Sequence, residues 1–407
     1  MIDTVQESKK SECFYKTYLS ILIFSLIIIT FISGCSLPGG KRRSVPQIEM
    51  IVENPLQVKR TDEFIVLKVS DIKEMAEDFS QNTFIVLYAD TNQEVPCQLD
   101  DTDNDGVGDE IAMIMDIESK EKKRIIIRYS PESPENRAVT LGHKKRTRSA
   151  IHPEYEGIGW ETEFIGYRLY PDQRNSISVF GKQKTGLSLD KFISNPSTSS
   201  TKLVLDGGNG IGCGGFGLWS DGKLIKPEPN TPRYTKIIAD GPVRSIAQVI
   251  YDKWNLGEKS LRVTATYSIF AGQVWSTGNI KIKGSDMPIK IATGLAKSKQ
   301  VSIIKNEKKG LFYSYGQQSL LNDNLGLALI YPTESFDSFH EDDNSYLAVL
   351  NPGSDNEISY WFLSSYGNSE NGAKNSNEFS ELVLSTADKL KNPITVTIMP
   401  VKKDRDK

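Results

Sequence analysis

Side chains that transfer protons or bind anions are concentrated in residues 152–182 of this chain. Carboxylic acids, phenols and imidazoles can exchange protons with a substrate, and arginine and lysine bind carboxylates through charge-assisted hydrogen bonds. We therefore predict acid–base roles for Glu161, Tyr167, Asp172 and His152. We predict substrate contacts for five further residues, Trp160, Arg168, Arg174, Lys182 and Arg244.

Two predicted strands must position these side chains. Residues 164–170 and 176–180 are rich in β-branched and aromatic residues, and the segment PDQRN between them is typical of a turn. Because alternate side chains of a strand share a face, Arg168 and Tyr170 are expected on one face and Tyr167 and Leu169 on the other. The polar face would be the floor of a binding pocket. The alternative is a solvated sheet face with ion pairs.

Composition and missing motifs argue against several classes of protein function. The 407 residues carry a formal net charge of -3, which argues against a nucleic-acid-binding protein because such proteins normally have a basic excess. The chain has no GxSxG, P-loop or HExxH motif, so we expect no serine hydrolase, NTPase or zincin and no organic cofactor. The glycine-rich segment 207–212 has no βαβ unit around it, so we interpret it as a loop between strands.

The N-terminal residues are typical of an exported lipoprotein. Lysines precede a short apolar run over residues 19–32, and the small residues Ser33 and Gly34 stand before Cys35. We predict a signal peptide over residues 1–34, lipidation of Cys35 and a tether over residues 35–46. The lipid is the expected contact with the membrane, and we expect the outer membrane, facing the periplasm. Cys97 and Cys213 would then lie in an oxidising compartment, and whether they pair stays open.

The remaining pattern is mainly β. We predict a small N-terminal β-sandwich over residues 47–130, a linker over 131–151 and a large β-sandwich over 152–402. One helix is expected near the C-terminus, because apolar residues recur there at helical spacing behind Asn375 and Glu378, which have the spacing of a capping box.

An acidic loop in the predicted small sandwich has the spacing of a calcium site. Asp101, Asp103, Asp105 and Asp109 stand at positions one, three, five and nine, with Gly106 at position six. Position twelve is an alanine, so the bidentate glutamate of an EF-hand is missing. We predict structural Ca²⁺ binding by these four aspartates; the alternative is an acidic turn exposed to water.

Several sequence blocks resemble the domain-of-unknown-function family 4861. They are EYEGIGWETEFIGYRLYPDQRNSISVFGK, GGFGLW, DGPVRS and VENPLQVKR followed by CQLDDTDNDGVGDE. The resemblance covers nearly all of the predicted mature chain. It implies a polysaccharide-utilisation context and a large domain that is a galactose-mutarotase-like supersandwich. Residues 190–207 lack the Tyr-His and Trp-Gly-Met-Asp elements expected from the family.

Acid–base and cationic side chains in a β protein of the envelope suit carbohydrate chemistry. We predict a glycoside hydrolase or polysaccharide lyase acting on uronic-acid-containing oligosaccharides, with Trp160 as a stacking platform. The alternative is a non-catalytic glycan-binding lipoprotein, which the missing histidine element favours. Either hypothesis makes an oligosaccharide or polysaccharide the partner and excludes nucleic acid.

Overall fold

Four segments are described by the structure, a computed structural model: residues 45–130, 143–152, 157–194 and 200–399. Of His152 and residues 192–194 only the backbone is described. Residues Pro46–Lys407 group as one compact unit. Among the described residues, no helix has both the length and the apolar character needed to cross a membrane.

The N-terminal part of this unit is a small β-sandwich, as predicted. Its elements are β1 (Gln47–Glu53), β2 (Arg60–Lys68), α1 (Val69–Met75), β3 (Phe84–Tyr88), β4 (Cys97–Asp100), β5 (Glu110–Ile117) and β6 (Lys122–Tyr129). Strands β1, β6 and β3 belong to a four-stranded sheet, and β2, β5 and β4 form a three-stranded sheet. Alternate residues of both sheets, such as Met50 of β1 and Ile65 of β2, enclose one apolar core.

The larger part contains most of the strands. They are β7 (Thr147–His152), β8 (Gly157–Thr162), β9 (Ile165–Tyr170), β10 (Ser176–Lys182), β11 (Thr201–Leu205), β12 (Cys213–Ser220), β13 (Lys223–Ile225), β14 (Arg233–Asp240), β15 (Arg244–Leu256), β16 (Lys259–Phe270), β17 (Trp275–Lys283), β18 (Ile291–Ala296), β19 (Ile304–Asn306), β20 (Leu311–Gln317), β21 (Asn324–Ile330), β22 (Phe336–Glu341), β23 (Ser345–Leu350) and β24 (Glu357–Tyr366). The last strand, β25 (Thr395–Ile398), is the fourth strand of the sheet that contains β1, β6 and β3. Two α-helices accompany them, α2 (Leu189–Ser194) and α3 (Ser376–Lys391).

Three sheets share the main core. An eight-stranded sheet has the strand order β14-β15-β16-β17-β24-β21-β20-β19. Two five-stranded sheets have the orders β11-β10-β9-β8-β7 and β13-β12-β18-β23-β22. Side chains such as Trp160, Phe216 and Tyr267 contribute to a single buried cluster from all three. The other face of the eight-stranded sheet packs against α3 and against Ala112 and Ile114 of β5. The mainly β fold with one long C-terminal helix is confirmed.

Two predicted boundaries need correction. Strand β25 pairs with β1, with Met50 opposite Ile398, so the last strand completes the small sandwich rather than the large one. Strand β7 occupies the end of the predicted linker, where Thr147 pairs with Thr162. Both errors have one cause, because the sequence of a single strand does not predict which other strand its backbone N–H and C=O groups will pair with.

Candidate functional site

The carboxylate of Glu161 lies inside the protein. It forms an ion pair with the ammonium group of Lys182, and the two residues are 1% and 2% exposed. Oε1 of Glu161 also accepts hydrogen bonds from the backbone N–H groups of Ser188 and Leu189, at 2.8 and 2.7 Å. The carboxylate therefore caps the start of α2. Its position does not support the predicted role as an acid or base, because protein donors already occupy both oxygens.

The ammonium group of Lys182 also has protein hydrogen-bond partners. Its Nζ donates to the carbonyl oxygens of Thr162 and Gly186, and burial lowers its pKa although the negative charge of Glu161 opposes that shift. The neighbouring cavity measures about 10 Å³, which holds roughly one water molecule. No sugar fits there, so the predicted contact between Lys182 and substrate is not supported. Residues 183–189 fold over this side chain, which the strand pattern does not predict.

Tyr167 and Trp160 belong to the main core. Oη of Tyr167 donates to the carbonyl oxygen of Val274 at 2.6 Å and accepts from the backbone N–H of Ser364 at 3.0 Å. Complete burial raises the pKa of Tyr167 well above its ordinary value. Trp160 stacks on Tyr267 with ring centroids 4.8 Å apart. Neither the predicted proton donor nor the predicted stacking platform is accessible, because both side chains alternate towards the core.

The outward face of β9 presents a different arrangement. The guanidinium carbons of Arg168 and Arg174 lie 4.4 and 4.0 Å from the ring centroid of Tyr170, so two cations contact one aromatic ring. Arg168 also lies over Phe180 at 5.2 Å. The tyrosine is nearly buried, and the arginines are partly exposed. We call Arg168, Tyr170, Asp172 and Arg174 the Tyr170 cluster.

Asp172 fixes the orientation of Arg174 within the cluster. Nε of Arg174 lies 3.0 and 2.9 Å from the two carboxylate oxygens, and Nη2 donates at 2.7 Å. Partial burial by itself raises the pKa of Asp172, but hydrogen bonds and charge from Arg174, helped by the charge of Arg233, leave that pKa below its ordinary value. The side chains are 31% and 34% exposed, so the pair lies at the boundary with solvent.

Two cations missed by the sequence analysis lie near the cluster. Lys226 and Arg233 both act electrostatically on the carboxylate of Asp172. Nζ of Lys226 donates to two carbonyl oxygens of the glycine-rich loop, at 2.7 and 2.8 Å. Lys226 directly follows β13 and Arg233 begins β14, both far from Asp172 in the sequence, and no local pattern predicts the packing that brings them to this carboxylate.

Arg244 links the two sandwiches instead of facing solvent. Its Nε and Nη2 donate to Asp100 at 2.8 and 2.5 Å, and Nη2 also donates to Glu110 at 2.8 Å. Its backbone N–H donates to the side-chain oxygen of Gln98 at 2.8 Å. With 5% exposure, Arg244 joins β15 to β4 and β5. The predicted substrate contact is therefore corrected to a structural ion pair.

Some predicted residues lie outside the description. The backbone of His152 ends β7, but its side chain is not described, and Cys35 falls outside the described residues. Within the described part of the chain, Cys97 and Cys213 are both buried free thiols, and burial raises the pKa of each.

The acidic loop brings three of its four predicted ligands together. One carboxylate oxygen each from Asp101, Asp103 and Asp109 lies within 4.8 Å of the others, while Asp105 is not part of this group. Gly106 has φ +90°, a conformation that favours glycine, so the turn that the spacing predicted is present. The loop carboxylates also accept backbone N–H groups, for example Asp101 from Gly106 at 2.8 Å. Oxygen ligands of this kind fit Ca²⁺, whose binding stays a prediction.

Comparisons with known proteins place the fold. The model of a family described as a domain of unknown function (DUF4861) matches residues 52–396. A solved structure titled as an alpha-mannosidase from Enterococcus faecalis V583 superposes with a TM-score of 0.50 at 9% identity, covering 88% of this chain and 47% of the other. A glycosyl hydrolase family 38 protein from Enterococcus faecalis gives a TM-score of 0.48 at 10% identity, covering 88% and 48%. This chain thus spans about half the length of these structures, and at such identity the likeness concerns the fold alone. No curated protein matches.

Proposed function

This chain belongs to the DUF4861 family, and we propose that it is a cell-envelope protein that binds uronic-acid-containing glycans at the Tyr170 cluster. The observation that carries the proposal is the pair of guanidinium groups held against one tyrosine ring, 4.4 and 4.0 Å from its centroid. A planar guanidinium matches the geometry of a carboxylate, and prior orientation reduces the conformational entropy lost on binding.

The charge distribution supports an acidic ligand. Lys226 and Arg233 add positive potential around Asp172, whose own charge is engaged by Nε and Nη2 of Arg174. Among the described residues, none accepts a hydrogen bond from Nη1 of Arg174. A uronate approaching the cluster would exchange water for charge-assisted hydrogen bonds.

Binding explains the geometry better than hydrolysis or elimination. A glycosidase needs a carboxylic acid that stays protonated near neutral pH, which requires a raised pKa. Asp172 has a lowered pKa, Glu161 is enclosed by protein donors, and Tyr167 is fully buried. The glycan-binding alternative is therefore preferred to the enzyme.

Variants of the cluster test this proposal. We expect Arg174→Ala and Arg168→Ala each to weaken binding of an oligogalacturonate by about tenfold, the effect of losing a charge-assisted contact of roughly 1.4 kcal/mol. Calorimetric titration of the mature protein measures the change. Arg262→Ala is the matched control, because Arg262 is an exposed arginine that pairs loosely with Asp252 at 3.5 Å.

Two results would contradict the proposal. Unchanged affinity in the Arg168→Ala, Arg174→Ala double variant would remove the cluster from the binding site. Release of shorter or unsaturated products, detected by mass spectrometry during the same incubation, would restore the enzyme hypothesis.

The envelope location is part of the proposal and rests on the sequence before Ser36. We propose that Cys35 carries the lipid and holds the protein on the periplasmic face of the outer membrane. Labelled palmitate should enter the wild-type protein and not Cys35→Ser, and the variant should leave the membrane fraction. Equal labelling of both forms would contradict the lipid anchor.

A further inference from the structure

A second cavity is lined by none of the residues of the Tyr170 cluster. It measures about 390 Å³ and is bounded by β2 of the small sandwich, β17 and β24 of the eight-stranded sheet, and the end of α3. Small-molecule sites occupy roughly 300–1,000 Å³, so the volume suits a ligand of one or two sugar rings.

Aromatic rings form much of its wall. Phe64, Trp275 and Trp361 line the cavity, and the rings of Phe64 and Trp275 meet edge to face with centroids 5.4 Å apart. Phe64 is itself stacked on Phe270 at 4.3 Å. Rings held in this way offer rigid apolar faces that lose little conformational entropy when a ligand binds.

Polar groups stand at the same wall. Glu63 lines the cavity although its side chain is only 7% exposed. Its Oε1 accepts from Nη1 of the buried Arg60 at 3.0 Å, and no described residue donates to Oε2. Lys389 and Gln273 also line the cavity. Oε2 of Glu63 can therefore accept a hydrogen bond from water or from a ligand hydroxyl.

We propose that this cavity binds a neutral mono- or disaccharide, with ring C–H groups against Trp361 and with sugar hydroxyls that donate hydrogen bonds to Glu63. The inference rests on the proposed function in that it assigns a second carbohydrate site to the same protein. Sugar hydroxyls supply the donor that Glu63 lacks, and they can also accept from Lys389. A uronate is disfavoured here because its charge would face the Glu63 carboxylate.

The polar pattern excludes a purely apolar ligand. An acyl chain or hydrocarbon would leave Oε2 of Glu63 desolvated without a hydrogen bond. Arg60 holds this carboxylate in place, because its Nη2 donates to the carbonyl oxygen of Asn392 just after α3. The carboxylate is thus positioned before a ligand arrives.

Tryptophan fluorescence offers a direct readout, since two of the five tryptophans line the cavity. Methyl glycosides of common hexoses and the disaccharides cellobiose, maltose and lactose should be titrated into the mature protein. We expect saturable quenching by at least one of them, and at least tenfold weaker binding in Trp361→Ala. Leu390→Trp, which fills the cavity from α3, should abolish binding even if Trp361→Ala fails to fold.

Controls separate this inference from the proposed function. Trp219→Phe removes a tryptophan that contacts His340 rather than the cavity, and should leave saccharide affinity unchanged. Arg174→Ala should weaken oligogalacturonate binding and spare the neutral sugar. The inference is overturned if no neutral saccharide binds saturably, or if Leu390→Trp binds it as well as wild type; neither result affects uronate binding at the Tyr170 cluster.

Discussion

Arginine side chains bind an anionic ligand more tightly when the protein fixes their orientation before the ligand arrives. In the Tyr170 cluster the ring positions both guanidinium groups, and Asp172 holds two of the nitrogens of Arg174. The carboxylate keeps its charge into acidic solution because its pKa is lowered. The cluster should therefore keep its geometry over the whole neutral and weakly acidic range.

The pH dependence of stability tests this pair. A lowered pKa in the folded state means that Asp172 stabilises the protein above the ordinary aspartate value of about 3.9, and that this stabilisation is lost as pH falls through the lower folded value. We expect Asp172→Asn to lower the free energy of unfolding by about 0.5–1 kcal/mol at pH 7, since the pair is partly exposed, and by less at pH 2. Urea unfolding at both pH values measures this. A cost as large at pH 2 as at pH 7 would contradict the ionic explanation.

The pair of Glu161 and Lys182 should behave as a buried structural element. Glu161→Gln leaves the ammonium group of Lys182 buried without its counter-charge, so we expect it to lower the free energy of unfolding by about 3–5 kcal/mol. The double variant Glu161→Gln, Lys182→Met should lose less than the single variant, because no unpaired charge remains. Chemical denaturation measures both. A double variant as unstable as the sum of its single changes would contradict the coupling.

At the residue scale, the sequence predicted which side chains share a face of a strand but not which side chains are exposed to solvent. Period-2 alternation correctly separated Tyr167 from Arg168. Alternation was not applied to Glu161 and Lys182, and α2 with the loop before it covers both of these side chains. Such covering depends on tertiary packing, which no strand pattern contains.

Helix α3 shows what local signals determine well. Oδ1 of Asn375 accepts from the backbone N–H of Glu378 at 3.0 Å, so the predicted cap is confirmed. The apolar stripe packs on the eight-stranded sheet, where Phe379 lies against Gly326. Asn375→Ala should lower the free energy of unfolding by about 1 kcal/mol, as measured by thermal unfolding. Asn371→Ala, just before the helix, is the control; an equal loss there would contradict capping.

The acidic loop between β4 and β5 carries the calcium prediction. If Asp101, Asp103 and Asp109 bind Ca²⁺ with the affinity of extracellular modules, about 0.1–1 mM, then 10 mM Ca²⁺ should add about 1.4–2.7 kcal/mol to the free energy of unfolding. Thermal unfolding in Ca²⁺ and in EDTA measures the change. The double variant Asp101→Asn, Asp103→Asn should remove it. No difference between Ca²⁺ and EDTA in the wild-type protein would contradict the prediction.

At the scale of the whole molecule, long-range pairing determines what the sequence leaves open. The number of strands and their alternation predicted two sandwiches, and both are present. The pairing of β25 with β1 and the junction of Arg244 with Asp100 join residues far apart in the chain. Long-range packing also creates the cavity beside Trp361 and brings Lys226 towards Asp172, so neither site had a local signal.

The central claim is that the Tyr170 cluster recognises a carboxylate on a glycan. Its most direct test is a calorimetric titration of the mature protein with an oligogalacturonate and with the same oligosaccharide after reduction of its carboxyl groups to alcohols. We predict saturable binding of the acidic form, weakened by added salt because exposed charges are screened, and at least tenfold weaker binding of the reduced form. Equal affinity for the two ligands would contradict recognition of the carboxylate and with it the function proposed for this protein.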